Sequence, residues 1–263
     1  MFAPTGVVGD RTHALVDVAS GKIASAKDPR VWAGLLAFRA RHAGEPESAG
    51  PVMITLPDGS EVSSADPSID QRLSAAVGRD VRLRADPGTD DSYDYVWEVD
   101  DIAPEDVVSG SRTGTTDDGN PVSTMPLALM APGTFQDVAP VTILTTAALA
   151  AMTALHPRGM WHPARFRSNL LIEVDGAEVV ENAWQGRKLA VGDAELEVTF
   201  PSPRCIMTTL PQLDLPRDRE ILQTVAQHNR LELPGLGPFA CLGVYANVIT
   251  AGEVALGDPV RLL

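Results

Sequence analysis

The sequence predicts an α+β protein that is mainly β and centred on a β-barrel. Three observations point there. Short alternating runs recur along the chain; in one of them Leu196, Val198 and Phe200 share a face. Turn signals such as Pro57-Asp58-Gly59 and Gly192-Asp193 separate these runs. Helical patterns are few and short, about four in all.

Taken in order, Gly9-Asp10-Arg11 precedes an alternating run from His13 to Val18. Ala19-Ser20-Gly21 is a turn signal, and Lys22 to Lys27 is expected to return as the partner strand. Asp28-Pro29 is expected to open a helix over Arg30 to His42, with Trp32, Leu35, Leu36 and Phe38 as its apolar face. Val52 to Leu56 and Glu61 to Ser63 flank the Pro57-Asp58-Gly59 turn. A second helix carries Ile69, Leu73, Ala76 and Val77 on one face and closes at Gly78. Val81 to Arg84 is a strand. Asp86 to Thr124 is rich in Asp, Gly, Thr and Ser and is expected to be a mobile surface loop, with a lid over the site as the minor alternative. Phe135 to Leu144 reads as loop then strand, and Thr145 and Thr146 cap a helix that ends at His156-Pro157. Leu170 to Val174, Lys188 to Val191 and Leu196 to Phe200 are strands. Arg217 to Asn229 is helical, Cys241 to Val248 is a buried-type strand, and Glu253 to Leu263 supplies the last short strands.

The chain has 263 residues, 44% hydrophobic and 21% charged, with a net charge of −14. That is enough for one large or two small cores. The negative charge argues against nucleic acid or an anionic membrane as the main partner. Met1 to Asp10 has no secretory pattern, and Ile143 to Leu155 is too short to span a bilayer. Two cysteines make no disulfide framework and no zinc pattern. A cytoplasmic setting is the expectation.

The stretch from Arg165 to Gln212 organises the chemistry. Arg165-Phe166-Arg167-Ser168-Asn169 stands at one end, and Pro201-Ser202-Pro203-Arg204-Cys205-Ile206-Met207-Thr208-Thr209 at the other. Cys205 follows an arginine at the end of an alternating strand braced by two prolines. A thiolate there has a lowered pKa and suits a soft metal; the alternative is a small buried hydrophobe. Arg11, Arg165, Arg167 and Arg204 are candidates for a phosphate-bearing anion, because guanidinium forks match phosphate oxygens. Their alternative is a solvated surface with carboxylate partners. Asn169 can bond a ligand edge or satisfy a loop. Asp10 is expected to orient Arg11, Thr208 and Thr209 to line a pocket or pack a strand, and Cys241 to lie in the core. The five histidines show no metal-ligand spacing.

In order along the chain, Arg-Phe-Arg-x-Asn, Arg-Cys-x-x-Thr-Thr, Leu242-Gly243-Val244-Tyr245-Ala246 and Gly257-Asp258-Pro259-Val260 resemble the MOSC domain family. That family is named after the C-terminal domain of molybdenum cofactor sulfurases and includes the mitochondrial amidoxime-reducing component and its bacterial relatives. The Gly9-Asp10-Arg11 start and the segment after it resemble the small β-barrel domain that precedes MOSC domains. The resemblance implies an N-terminal β-barrel-like domain over 1–86, a linker over 87–124 and a MOSC β-barrel over 125–263. It implies a molybdenum cofactor, a pterin with a dithiolene and a phosphate. Cys205 would ligate molybdenum, Asp137 would lie near the metal, and Arg11, Arg165, Arg167, Asn169, Arg204 and Thr208 would hold the cofactor. It also implies a small-molecule substrate bearing an N-hydroxyl and a separate electron-transfer protein. Relatives carry a first strand with Pro-Val-Lys-Ser ahead of Gly-Asp-Arg, so the expectation here is either a wrong or truncated start or a reduced phosphate grip. A sulfur or cofactor carrier using Cys205 as a persulfide, and a domain kept for protein interaction, are the rival readings.

Overall fold

A computed structural model describes residues 1–46, 50–97, 112–127, 134–136 and 138–263. The fold is mainly strands with four short α-helices among these residues. The chain forms two compact units, Met1–Val8 with Asp137–Leu210 and Leu215–Leu263, and Gly9–Gln136 with Pro211–Asp214.

The first unit begins with a two-stranded ribbon, β1 (Phe2–Ala3) and β2 (Gly6–Val7). The second unit holds the next eight strands. β3 (Ala14–Asp17) pairs not with the segment after the Gly21 turn but with β7 (Val81–Arg84). Only the bridge Val16↔Ile23 remains of the expected hairpin. Ile23 instead enters an apolar cluster with Tyr93, Met125, Leu127 and Phe135. β4 (Arg39–His42), β5 (Val52–Thr55) and β6 (Glu61–Ser63) form a three-stranded sheet. Their apolar faces and Leu73 of α2 (Ile69–Val77) make the unit's other core, with Trp32 and Val81. Gly78 closes α2 in the left-handed region, as expected.

The helix expected over Arg30 to His42 is corrected. α1 covers only Pro29–Trp32, a 3-10 turn follows over Ala33–Ala37, and Arg39–His42 is β4. Asp28 does not cap the helix; its carboxylate is gripped by both forks of Arg30 at 2.9 Å. Sheet pairing of Arg39 to Thr55 through His42 to Val52 overrides the local helical pattern. The loop reading of 87–124 is also corrected where residues are described. β8 (Ser92–Val96), β9 (Arg112–Thr115) and β10 (Pro121–Pro126) form a three-stranded sheet, and Gly119 turns β9 into β10. Tyr93, Val96 and Met125 supply the buried face that the surrounding Asp and Gly content conceals in the sequence.

The remaining strands build the first unit. β11 (Val141–Thr145) runs into α3 (Thr146–Leu155), with Thr145 Oγ1 accepting from the Ala148 amide as the N-cap. β12 (Leu170–Ile172), β13 (Lys188–Val191), β14 (Ala194–Pro203), β15 (Arg230–Leu233), β16 (Gly237–Thr250) and β17 (Val260–Leu262) follow, with α4 (Glu220–His228) before β15. The sheet runs β12-β11-β16-β14-β13-β17, with β15 also on β16, and curls toward a barrel. Val141, Ile143, Leu196, Val198, Val244 and Ala246 are fully buried inside it. Alternation in β14 puts Leu196 and Val198 inward, which buries about 1.5–3 kcal/mol of apolar side chain at each position. α3 and α4 pack over Leu144, Phe166 and Leu242 as a separate cluster.

Candidate functional site

The site in the first unit is built where β14 leaves the sheet. β14 pairs with β16 from Glu195 to Pro203, with register shifts between Val198 and Phe200 and again between Pro201 and Pro203. Bulges of this kind re-aim the strand end. Arg204 is still tied to β16, its amide donating to Ala240 O at 2.8 Å. Cys205 then takes extended backbone (φ −122°, ψ −179°) and begins a 3-10 turn over Ile206–Thr209. Thr208 closes that turn, its Oγ1 and its amide both donating to Cys205 O. The Cys205 thiol is outside any disulfide and half-buried.

Arg204 lies beneath it. Nε donates to Leu242 O at 2.6 Å and Nη1 to Phe166 O at 3.0 Å, with the guanidinium 5.5 Å from the Phe166 ring centroid. Nη2 is buried with no hydrogen-bond partner. Burial lowers the Arg204 pKa, while Tyr245, Cys205, Cys241 and Glu181 act in the opposite direction.

Arg165 is the larger surprise. It is 1% exposed, and each guanidinium nitrogen donates to a main-chain carbonyl. Nε reaches Met160 O at 2.9 Å, Nη1 Thr208 O at 3.1 Å and Leu210 O at 3.5 Å, and Nη2 Pro216 O at 2.8 Å. It fastens three separate loops, one of them the turn that carries Cys205. Burial lowers its pKa, and Asp218 partly offsets this. Arg167, two residues on, is exposed and takes φ 50°, the left-handed region that costs a non-glycine residue about 1–2 kcal/mol. Asn169 knits the sheet: its Oδ1 accepts from the Thr142 amide at 2.9 Å, and its own amide donates to Thr142 O.

Residues 131–261 match the MOSC domain family. That segment, about half of the chain, is a MOSC domain. Human mitochondrial amidoxime-reducing component 1 is 30% identical over 136 residues, 49% of this chain and 38% of that protein. Human mitochondrial amidoxime reducing component 2 is 29% identical over 133 residues, 48% of this chain and 38% of that protein. The match therefore spans less than half the length of these curated relatives. A crystal structure of YiiM from Geobacillus stearothermophilus aligns over 47% of this chain and 54% of its own, at 18% identity and a TM-score of 0.32.

Within the MOSC domain, the Leu242-Gly243-Val244-Tyr245-Ala246 motif has a physical reason. Gly243 has φ 77°, and a Cβ there would strike Ile143 O and come within 3.0 Å of Arg204 Nη2. The glycine makes the seat for the arginine. Cys241, on the same strand, is fully buried, and burial pushes its thiol up to about 12. Two residues of the MOSC domain escaped sequence reasoning. Glu181, on the 3-10 turn Val180–Trp184, is fully buried and accepts from Thr145 Oγ1 at 2.8 Å. His156, at the end of α3, stands 3.6 Å from Asp218 and 3.3 Å from Glu220. Neither has a spacing signal; each is paired through the fold.

In the second unit, Arg11 also takes φ 50°. Its Nη1 donates to Gln136 Oε1 at 2.7 Å, Gln136 Nε2 donates to Asp10 Oδ2 at 2.9 Å, and Asp10 lies 3.8 Å from Arg11 Nε. Asp10 thus orients Arg11 jointly with Gln136, which the sequence reading did not single out. Asp137 lies outside the described residues. No helix is long and apolar enough to cross a membrane among the described residues.

Proposed function

We propose that this MOSC protein binds a molybdenum cofactor through Cys205 and reduces N-hydroxylated small molecules. The observation that carries the reading is the half-buried Cys205 thiol, held on extended backbone directly after a buried arginine. The donor set fits. Among the described residues no group of three or more His, Cys, Asp and Glu side chains could hold a metal alone. A single soft thiolate therefore suits a metal that brings its own chelate, as a dithiolene-bound one does. The match to amidoxime-reducing components supports the same class of chemistry.

When bound, the cofactor supplies a metal that exchanges two electrons and an oxygen atom with the substrate. The chain's own residues do the rest. The positive charge of Arg204 favours thiolate over thiol at Cys205. Arg165 and Thr208 hold the turn so that the sulfur does not wander. Arg167, exposed and at φ 50°, is the arginine of the Arg-Phe-Arg motif that this reading assigns to a phosphate. Electrons come from a separate redox protein, since the sequence has no flavin or haem motif.

The test is molybdenum and pterin content of protein made in a cofactor-producing host, beside Cys205→Ala. The reading expects near-stoichiometric metal in the wild type and its loss in the variant, with an unchanged melting curve. Loaded wild type should then reduce an N-hydroxylated amidine with a chemically reduced viologen as donor. Metal-free wild type bearing persulfide at Cys205 would instead establish a sulfur carrier.

A further inference from the structure

The second unit holds an open cleft of about 380 Å³ on one face of the β8-β10-β9 sheet. Strand register builds its floor. Asp94 stands opposite Thr124, and Val122 opposite Gly114, so alternation puts all four on that face. Tyr93, Ser123 and Met125 are buried on the other. Gly114 leaves the floor bare: a Cβ there would meet only Val122 Cγ1, at 3.9 Å. Asp94 is satisfied within the floor. Lys22 Nζ donates to its two oxygens at 2.7 and 2.9 Å, and Thr124 Oγ1 donates to Oδ1 at 2.7 Å. Lys22 Nζ also reaches Thr124 Oγ1 at 3.1 Å, so the whole ammonium is engaged.

Two other groups that line the cleft have bonding capacity left. Arg30 grips Asp28 through Nε and Nη2 at 2.9 Å each, and its Nη1 makes no hydrogen bond among the described residues. Asp117 sits in the turn between β9 and β10, and its carboxylate makes no hydrogen bond or ion pair among the described residues. The turn itself is fixed: Thr116 Oγ1 accepts from the Asn120 amide at 3.0 Å, and Thr116 O from the Gly119 amide at 2.9 Å. Arg30 and Asp117 attract each other electrostatically, yet no ion pair joins them. Opposite charges thus flank the cleft without closing it.

We propose that this cleft binds a small zwitterion, a free amino acid or a dipeptide, with its carboxylate on Arg30, its ammonium on Asp117 and its body over Gly114 and Val122. A guanidinium N–H and a carboxylate make charge-assisted hydrogen bonds to such ends. An anion alone would leave Asp117 unpaired, and a cation alone would leave Arg30 Nη1 unpaired. Only a ligand carrying both charges uses both groups. The volume suits the purpose, since small-molecule sites run from about 300 to 1,000 Å³. The cleft is open to water, which screens the charges, so the dissociation constant should be about 0.1–1 mM. Neither Cys205 nor any metal enters this site, and the proposed function above can fail without touching it.

The experiment is an NMR titration of the full ¹⁵N-labelled chain with L-alanine and with L-alanyl-L-alanine, each taken to about 20 mM. At least one of the two should give saturable shifts at the amides of Gly114, Thr116 and Asp117. N-acetyl-L-alanine lacks the ammonium and L-alaninamide lacks the carboxylate; both should bind at least about threefold more weakly than the zwitterion. Asp117→Asn loses no bond within the protein, so it should fold as the wild type does and weaken binding about three- to tenfold. Gly114→Val tests the shape independently of charge. Gly114 is on a strand outside the left-handed region with open space at its Cβ, so valine should keep the fold, fill the floor and abolish the shifts. Absence of saturable shifts with both probes would overturn the inference, because the Arg30 and Asp117 charges would then recognise nothing. Equal binding of either blocked compound would also overturn it, as would unchanged binding by folded Gly114→Val.

Discussion

Replacing Arg165 by leucine should unfold the Cys205 turn before it weakens any ligand contact. The guanidinium makes three good hydrogen bonds, at 2.9, 3.1 and 2.8 Å, and one long one at 3.5 Å. Bonds from a charged donor contribute about 1.5–3 kcal/mol each. Three of them sum to about 4.5–9 kcal/mol, but burying the guanidinium offsets part of this, as its lowered pKa shows. A net loss of about 3–5 kcal/mol is expected, the usual cost of breaking a buried charged network from one side. At about 2–4 °C per kcal/mol, the melting temperature should fall by roughly 6–20 °C. Arg165→Lys should recover little, because an ammonium cannot fork to carbonyls on three loops. The assay is thermal denaturation followed by circular dichroism on metal-free protein. An Arg165→Leu variant that melts within about 2 °C of wild type, yet no longer takes up cofactor, would overturn this structural role and return Arg165 to phosphate binding.

Gly243→Ala should be costly for two separable reasons. The φ of 77° costs a Cβ-bearing residue about 1–2 kcal/mol, and the clash with Ile143 O and Arg204 Nη2 adds overpacking of about 1–3 kcal/mol. Urea denaturation should show the sum, and Cys205 reactivity should change with it as Arg204 is displaced; unchanged values of both would remove Arg204 from its assigned seat. The pH dependence of stability should carry the mark of Glu181. Its folded pKa is raised above the ordinary value of 4.5, so the folded state holds the proton more tightly. That contribution is complete below about pH 4.5 and is lost as pH rises through the folded pKa. Denaturant midpoints of wild type should therefore decline across this window more steeply than those of Glu181→Gln. Parallel curves would mean that Glu181 has the same affinity for its proton folded and unfolded.

Much of the fold was legible in the sequence because alternation and capping are local. Leu196 and Val198 face inward as their spacing requires, Thr145 caps α3, and Gly78 stops α2. The failures are places where partners from elsewhere in the second unit decide. Arg39–His42 has a helix-compatible composition and becomes a strand because Val52–Thr55 is there to pair with it. Ser92–Val96 hides between Asp-rich segments, and its buried face shows only once Met125 and Ile23 are beside it. The same distinction applies at the site. The motif names Arg165 and Arg167 together, but composition cannot say which points inward. The answer depends on carbonyls at 160, 208 and 216, three positions no local pattern connects. Glu181 looks like any acidic loop residue until the fold buries it against Thr145.

The two cysteines can be compared in one measurement, because the same side chain meets two environments within the MOSC domain. Cys241 lies on β16 with no exposure, and burial pushes its thiol up to about 12. At pH 8 about one part in 10⁴ of it is thiolate, so its reaction with a disulfide reagent should be negligible on the scale of hours. Cys205 is half-buried at a rigid turn next to Arg204, where positive charge favours the reactive form. Native metal-free protein should therefore show one reacting thiol per chain, and the same protein in guanidinium two. Occupancy of Cys205 by a metal should abolish the native reaction and leave the denatured count at two. Two thiols of comparable rate in the native state would mean that β16 opens readily. A rigid seat for Arg204, and with it the displayed thiolate, could not then be what this fold provides.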